Sequence, residues 1–333
     1  VTASDGEIST DQNIQVEITD VDPEGPVFST SGTLNADENQ TDIGTVSATD
    51  PFDAVVTYAI SGTDASSITL DTTSGALTFN SAPDYETKTS YAVIITAAGS
   101  IANTDQALTI NVNNLNDNEP VFTSSSTLSG DENQTDIGSV TASDADGDKL
   151  TYSITGSNLS ITSAGVLTFA SAPDYETTTS YTGTVTVTDG LTSLTQEITV
   201  NVNNLNDNDP VFTSDAIFST NENQTAVGTV TGSDADGDSY TFTVSGSELA
   251  ITSAGVLTLV SAPDYETKTS YTATVTITDG ANSSTQDITV NINDIDDNAP
   301  VFTSSTTFSA DENQTAIGTI AATDADNLDT SAT

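Results

Sequence analysis

The chain has 333 residues, in which 49 aspartates and glutamates stand against three lysines, with no arginine, histidine or cysteine and a formal net charge of −46. Nothing in it could neutralise phosphates and release their counterions, so nucleic acid is excluded as a partner. The lack of cysteine excludes disulfides and thiolate chemistry. Since no apolar run approaches the ~18 residues of a membrane span, we expect no membrane insertion in this segment.

The hexapeptide Asp-Asn-x-Pro-Val-Phe recurs at a fixed interval. It begins at Asp117, Asp207 and Asp297, which stand 90 residues apart. Self-similarity at a fixed period identifies a tandem array in which each unit carries the same features. In chain order, we expect the end of an earlier repeat (1–22), three repeats (23–116, 117–206 and 207–296) and the beginning of another (297–333).

Within each repeat, apolar residues alternate with polar ones. From Tyr181 to Thr188 every second residue is a threonine, and the run from Ile198 to Val202 continues the alternation into the acidic linker. A period of two with one apolar face is typical of a half-buried strand. Turn signals separate such runs about every 8 to 12 residues, as in a β-sandwich. We therefore predict an all-β chain of seven-stranded Greek-key β-sandwiches with immunoglobulin-like architecture, arranged as a linear rod.

Several acidic residues keep constant offsets from the linker aspartate: Asp84 and Asp174 lie 33 residues upstream of it, and Asp144 and Asp234 lie 27 residues downstream. The carboxylates that accompany Asp117 are Glu38, Asp84 and Glu86 upstream and Asp144, Asp146 and Asp189 downstream. In tandem sandwiches, the loops that carry them can converge on the linker. Seven negative charges within several ångströms would repel by several kcal/mol in total unless a cation compensates. Calcium, which takes about six to eight oxygen ligands, suits this set, whereas zinc would favour histidine or cysteine.

These motifs resemble the cadherin repeat over essentially the whole chain. The second repeat has Asp131-Glu132-Asn133, Asp174-Tyr175-Glu176 and Asn206-Asp207-Asn208, followed by Asp234-Ala235-Asp236 and Asp279-Gly280, in that family's order and spacing. The resemblance implies up to three calcium ions at each joint between repeats, which stiffen a rod. Three ions would bring a charge of +6 against −7, in agreement with the count of carboxylates.

The candidate calcium ligands at each joint are carboxylates, linker asparagines and one linker backbone carbonyl. At the Asp117 joint they are Glu38, Asp84, Glu86, Asn114, Leu115, Asn116, Asp117, Asn118, Asp144, Asp146 and Asp189. At the Asp207 joint they are Glu132, Asp174, Glu176, Asn204, Leu205, Asn206, Asp207, Asn208, Asp234, Asp236 and Asp279. At the Asp297 joint they are Glu222, Asp264, Glu266, Asp294, Ile295, Asp296, Asp297, Asn298, Asp324 and Asp326.

Several positions depart from the cadherin pattern. The first acidic position of the linker is asparagine at Asn114 and Asn204, and only the third linker keeps an acid there. The joint around Asp20 to Pro26, here called the Pro26 joint, also has Phe52 and Ala98 where later repeats have aspartate. We therefore predict that the Pro26 joint binds few ions or none and bends.

Other interpretations of the same residues are weaker. Asp84 and Glu86 could be a glycosidase pair, but three copies of one site and the lack of histidine, cysteine and arginine argue against an enzyme. Asp144, Asp146 and Asp148 imitate an EF-hand start, yet Lys149 and Thr155 replace its glycine and glutamate. Asn-Gln-Thr, which occurs at Asn39, Asn133, Asn223 and Asn313, fits the N-glycosylation acceptor pattern. The regular threonines could suggest ice or mineral binding, although threonine is also an ordinary strand residue.

The predicted function is a calcium-stiffened extension of a large secreted or surface protein, with a microbial origin expected. Calcium is abundant outside cells, which indicates an extracellular location. The alternative is a self-associating adhesive module or a filament or surface-layer subunit, whose partners would be copies of itself, other surface proteins or glycans. Animal cadherins that exchange strands use a tryptophan, and this chain has none.

Overall fold

The computed structural model describes residues 1–18, 24–100, 102–156 and 158–326. Asp20 to Pro23 of the Pro26 joint and residues 327–333 therefore lie outside the described residues. Within the described ranges the one helix is the 3-10 turn Ala65–Ser67. No helix in those ranges is long and apolar enough to cross a membrane.

The strands recur in the same order in each repeat. The N-terminal segment contains β1 (Thr2–Ser4) and β2 (Ser9–Asp11). The first repeat contains β3 (Val27–Phe28), β4 (Thr33–Asp37), β5 (Asp42–Thr45), β6 (Ala48–Thr49), β7 (Thr57–Ser61), β8 (Ile68–Leu70), β9 (Ala76–Phe79), β10 (Ser90–Ala98) and β11 (Asn103–Asn113). The second contains β12 (Val121–Phe122), β13 (Thr127–Asp131), β14 (Asp136–Ser139), β15 (Ala142–Ser143), β16 (Thr151–Thr155), β17 (Leu159–Ile161), β18 (Val166–Phe169), β19 (Ser180–Thr188) and β20 (Ser193–Asn203).

The third repeat and the C-terminal segment complete the chain. The third repeat contains β21 (Val211–Phe212), β22 (Ile217–Asn221), β23 (Ala226–Thr229), β24 (Gly232–Ser233), β25 (Thr241–Val244), β26 (Leu249–Ile251), β27 (Val256–Leu259), β28 (Ser270–Thr278) and β29 (Ser283–Asn293). The C-terminal segment contains β30 (Val301–Phe302) and β31 (Ala322–Thr323).

Each repeat pairs its strands into separate sheets that together enclose one core. In the second repeat, the orders are β13-β20-β19-β16, β14-β18-β17 and β12-β15, and the first and third repeats have the corresponding orders. The nine strand segments amount to seven strands, because β12 with β13 and β14 with β15 each form one interrupted strand. The prediction of tandem β-sandwiches is confirmed.

The period-two pattern accounts for the core. Val185 and Val187 of β19 and Ile198 and Val200 of β20 are at most 1% exposed. These two strands pair antiparallel over the whole length of β19, from Ser180 opposite Asn201 to Thr188 opposite Ser193. Since alternate side chains of a strand point to opposite faces, the intervening threonines lie on the other face. Each of the three repeats has its own apolar core of this kind.

The parallel pairing of β13 with β20 positions the first residue of the candidate site. Its register sets Asp131 opposite Asn203, the last residue of β20. The next residue, Glu132, therefore lies beside the start of the linker, where its backbone N–H donates to the carbonyl of Asn203 at 3.2 Å. The strand order thus joins the beginning of a repeat to its end.

A glycine in the turn between β17 and β18 permits a close approach of two backbones. Gly165 has a φ of +88°, and a Cβ there would lie 2.4 Å from the carbonyl oxygen of Val140. We expect Gly165→Ala to lower the free energy of unfolding by about 1 to 3 kcal/mol, because it adds both strain and a clash. Denaturant unfolding measures this value.

Gly147→Ala is the matched control for this prediction. Gly147 has a φ of +80° but open space around its Cβ position. It therefore carries the cost of the backbone conformation without the clash. Equal losses for the two variants would contradict the role given to the contact between Gly165 and Val140.

Candidate metal centre

A buried glutamate anchors each joint. Glu132 is 1% exposed. Its Oε2 accepts a hydrogen bond from the backbone N–H of Tyr175 at 2.8 Å, and its Oε1 accepts one from the backbone N–H of Leu205 at 2.7 Å. Glu38 and Glu222 make the same pair of contacts in their repeats. One carboxylate thus holds the Asp-Tyr-Glu loop and the linker together.

An aspartate of the following repeat contacts the linker from the other side. Asp236 Oδ2 accepts hydrogen bonds from the backbone N–H groups of Asp207 at 3.0 Å and Asn208 at 2.9 Å. Its Oδ1 accepts one from Asn208 Nδ2 at 2.7 Å. Asp146 and Asp326 make the corresponding contacts at their joints. The linker therefore bonds to both repeats that it connects.

Carboxylates distant in sequence converge at the joints. Groups whose ligand atoms all lie within 4.8 Å of one another are Glu38, Glu86, Asp117 and Asp146; Glu132, Glu176 and Asp207; and Glu222, Asp264 and Glu266. Further groups, on the downstream side, are Asp144, Asp146 and Asp148 and Asp234, Asp236 and Asp238. The first group contains residues from two repeats and the linker.

Unpaired oxygens at the joints fit a cation. In the described part of the chain, eight side-chain oxygens are buried without a hydrogen-bond partner: Asp50 Oδ2, Asn116 Oδ1, Asp144 Oδ2, Asp234 Oδ2, Asp279 Oδ2, Asp294 Oδ1, Gln196 Oε1 and Gln286 Oε1. All but the two glutamine oxygens belong to joints. Leaving a buried charged oxygen unpaired is costly, and a hard cation with oxygen ligands would remove that cost. The donor set therefore fits calcium.

Crowding of like charges affects the pKa values in these clusters. Desolvation raises the pKa of Glu86, and the negative charges of Glu38 and Asp146 add to the rise. Desolvation also acts to raise the pKa of Asp146, but hydrogen bonds from Asn118 and Asp117 outweigh it, so this pKa lies below its usual range. The pKa values of these two neighbouring carboxylates therefore shift in opposite directions, because donated hydrogen bonds dominate at Asp146 but not at Glu86.

Some predicted ligands make local hydrogen bonds instead. Asp84 and Asp174 each accept a hydrogen bond from the hydroxyl of a threonine three residues later, at 3.0 and 2.9 Å. Asp189 accepts bonds from the backbone and hydroxyl of Thr192. Asn114 directs its Nδ2, rather than its Oδ1, to the carbonyl of Asp146 at 2.8 Å. Asp84, Asp174 and Asp189 therefore lie at the joints with some of their carboxylate lone pairs already accepting hydrogen bonds.

Two sets of residues at the joints were not among the calcium ligands predicted from the sequence. Asp148 and Asp238, which were not predicted as ligands, lie within the downstream carboxylate groups. The asparagines of the first three Asn-Gln-Thr sequences each contact the linker aspartate that follows, as at Asn133 and Asp207. The signal was available, because this asparagine follows the buried glutamate of each repeat and precedes the linker aspartate by 74 residues in the second and third repeats and by 78 in the first.

The described part of the Pro26 joint differs from the others. Phe52 replaces the second aspartate, is 42% exposed and donates its backbone N–H to Asp50 Oδ1 at 2.8 Å. Asp50 is 6% exposed, and its other oxygen is among the unpaired ones. Of the three downstream positions that carry aspartate in the second repeat, only Asp50 keeps it here, because Phe52 and Ala98 occupy the other two.

Comparisons with known proteins agree with this geometry. A family model described as a bacterial Ig domain matches residues 206–293. Cadherin EGF LAG seven-pass G-type receptor 2 of Mus musculus is 32% identical over 284 residues, which is 76% of this chain and 10% of the receptor. Protocadherin Fat 1 of Homo sapiens is 29% identical over 346 residues, which is 92% of this chain and 8% of that protein. The chain thus spans about a tenth of the length of these relatives.

Solved structures agree in fold. The human Desmocollin-1 ectodomain superposes with a TM-score of 0.62 at 20% identity, covering 81% of this chain and 62% of that one. Mouse Cadherin-23 EC22-24 gives a TM-score of 0.54 at 21% identity, covering 81% of this chain and 99% of that one. These structures show the fold, and the curated relatives show the family.

The chain is a tandem array of cadherin-like repeats. The expected extracellular location agrees with these relatives, which are cadherins and protocadherins by name. The bacterial Ig domain model that matches residues 206–293 agrees with the immunoglobulin-like architecture of the third repeat.

Proposed function

We propose that this cadherin-like chain is a calcium-stiffened extension that separates other parts of a larger surface protein. The observation that supports it most is the set of buried, unpaired oxygens on both sides of the linker, such as Asn116 Oδ1 and Asp144 Oδ2 at the Asp117 joint. They belong to residues that the sequence pattern singled out as calcium ligands. We assign no catalytic role, since the matched relatives are cadherins and protocadherins by name.

Bound calcium would compensate charge between segments that otherwise repel. At the Asp207 joint, Glu132 and Glu176 would supply oxygens from one repeat, Asp207 from the linker, and Asp234 and Asp236 from the next. An ion shared by all three segments ties them together, because each gives up favourable ligands if it moves away. Such a joint resists bending.

Calorimetric titration of the whole chain tests this proposal. We expect calcium to bind with dissociation constants of about 0.1 to 1 mM, as in extracellular modules, and with up to three ions per joint. Magnesium is expected to bind more weakly, since it prefers fewer protein ligands and more water. Asp236→Asn keeps the side-chain shape and is expected to reduce the stoichiometry at its joint. No calcium uptake by the unmodified chain at millimolar concentrations would contradict the proposal.

The Pro26 joint provides a gain-of-function prediction. Restoring carboxylates with Phe52→Asp and Ala98→Asp is expected to raise the calcium stoichiometry of the chain by about one ion, since calcium affinity follows the number of charged ligands. The matched control is Phe52→Ser with Ala98→Ser, which adds polarity without charge. If both double variants bind the same number of calcium ions, the prediction that Phe52 and Ala98 reduce calcium binding at the Pro26 joint is wrong.

Self-association is the second candidate function. One similar structure is titled as a cis-dimer of Protocadherin gammaB7 EC3-6; it has a TM-score of 0.58 at 24% identity and covers 91% of this chain and 84% of that one. Sedimentation velocity with and without calcium distinguishes the two functions. A spacer stays monomeric in both conditions, whereas an adhesive or filament module forms dimers or larger species in calcium.

A further inference from the structure

The asparagine of each Asn-Gln-Thr has a conformation that few residues adopt. Asn39, Asn133 and Asn223 have φ values of +62°, +62° and +63°. Asparagine visits this left-handed region more readily than most residues other than glycine. The backbone N–H of each donates to a proline carbonyl of the same repeat at 3.0 Å, as Asn133 does to Pro173. This conformation fixes the direction of the side chain.

The side chain points at the linker in all three copies. Asn39 Nδ2 donates to Asp117 Oδ2, Asn133 Nδ2 to Asp207 Oδ2, and Asn223 Nδ2 to Asp297 Oδ2. At the Asp207 joint, the other oxygen, Asp207 Oδ1, accepts a hydrogen bond from Asn208 Nδ2 at 2.9 Å. The linker aspartate is thus held through both of its oxygens.

The same aspartate also bonds to the next repeat through its backbone. The backbone N–H of Asp207 donates to Asp236 Oδ2 at 3.0 Å. A continuous series of hydrogen bonds therefore runs from Asn133 in one repeat through Asp207 in the linker to Asp236 in the next. No step of this series requires a cation.

We propose that Asn39, Asn133 and Asn223 are positioning residues that orient the linker aspartate across the joint before any ion binds. A linker aspartate that is already oriented loses less conformational freedom when it takes up a cation. The effect on calcium affinity rests on the proposed function, whereas the orientation of the linker does not.

This role has a consequence for the glycosylation pattern. Nδ2 is the atom to which an N-linked glycan is attached, and here it is the atom that donates to the linker aspartate. A glycan at Asn133 would have to occupy the space between the repeat and its linker. The asparagine of the first three Asn-Gln-Thr sequences therefore has a role at the joint that requires no modification.

Asn133→Gly tests the proposal. Glycine accepts a positive φ without strain, so the backbone turn is retained while the amide is lost. We expect about a tenfold weaker calcium affinity at the Asp207 joint, in line with the loss of a hydrogen bond to a charged group. In chelator, we expect faster hydrogen exchange of the Asp207 and Asn208 backbone amides, measured by NMR.

Asn313→Gly is the matched control. Asn313 has the same flanking sequence and a φ of +75°, but no following linker aspartate exists among the described residues. Its variant should leave both measurements unchanged. If the unmodified chain binds no calcium but Asn133→Gly still speeds exchange in chelator, the proposed function fails and the positioning role stands. If calcium binds and Asn133→Gly matches Asn313→Gly in both measurements, the positioning role is overturned.

Discussion

Chelating calcium is expected to lower the free energy of unfolding of the repeats by several kcal/mol. An ion that binds only the folded state at ten times its dissociation constant contributes about 1.4 kcal/mol. Up to three such ions at a joint would contribute about 4 kcal/mol. For a domain of this size, 1 kcal/mol corresponds to roughly 4 to 8 °C in the melting temperature. Thermal unfolding with calcium and with excess chelator should therefore differ by about 15 °C or more.

Ionic strength must be separated from specific binding in this measurement. The chain carries a formal net charge of −46, so any salt reduces self-repulsion between its carboxylates. Sodium chloride at matched ionic strength is the control, and magnesium chloride is a second. If sodium restores the melting temperature as fully as calcium does, screening explains the stabilisation and the joints have no specific sites.

The second large effect is expected from Glu132→Ala. Glu132 is 1% exposed and accepts hydrogen bonds from the backbone N–H groups of Tyr175 and Leu205. Removing the carboxylate leaves both donors without a partner, and each such group costs about 1 to 3 kcal/mol. We therefore expect a loss of about 2 to 6 kcal/mol in the calcium-free free energy of unfolding, together with the loss of calcium binding at the Asp207 joint.

Two further variants make this prediction specific. Glu132→Gln keeps the size and one acceptor oxygen, so it should lose calcium affinity while retaining more stability than Glu132→Ala. Glu312 occupies the same motif position in the C-terminal segment, where it is exposed. Glu312→Ala should therefore change neither measurement. A calcium-free stability of Glu132→Ala equal to that of Glu312→Ala would contradict the anchoring role.

Much of the fold could be predicted from local patterns. The alternation around Val185 and Val187 identifies β19 and its buried face without any long-range information. The parallel pairing of β13 with β20 could not be predicted in this way, because it joins residues about 72 apart, such as Asp131 and Asn203. Yet that register is what places Glu132 against the linker.

The site was predictable in composition and less so in contacts. Constant offsets from Asp117 and Asp207 indicated which carboxylates would meet. The offsets could not distinguish Asp189 from Asp279. Asp189 accepts a hydrogen bond from the hydroxyl of Thr192, whereas Asp279 has Asn282 at the corresponding position and its Oδ2 is unpaired. The difference comes from that one neighbouring side chain. The contacts between the Asn-Gln-Thr asparagines and the linker aspartates were also not predicted. Asn-Gln-Thr is usually interpreted as a glycosylation signal, and the partner of Asn133 lies 74 residues away in the sequence.

Small-angle X-ray scattering of the chain through a calcium titration tests the central claim most directly. If ions stiffen the joints, the maximum dimension and the radius of gyration should both rise to a plateau near millimolar calcium, and chelator should reverse the change. The Asp207 joint variant Asp236→Asn should reach a lower plateau. A maximum dimension that is the same in calcium and in chelator would contradict the stiffening mechanism, even if calcium binds.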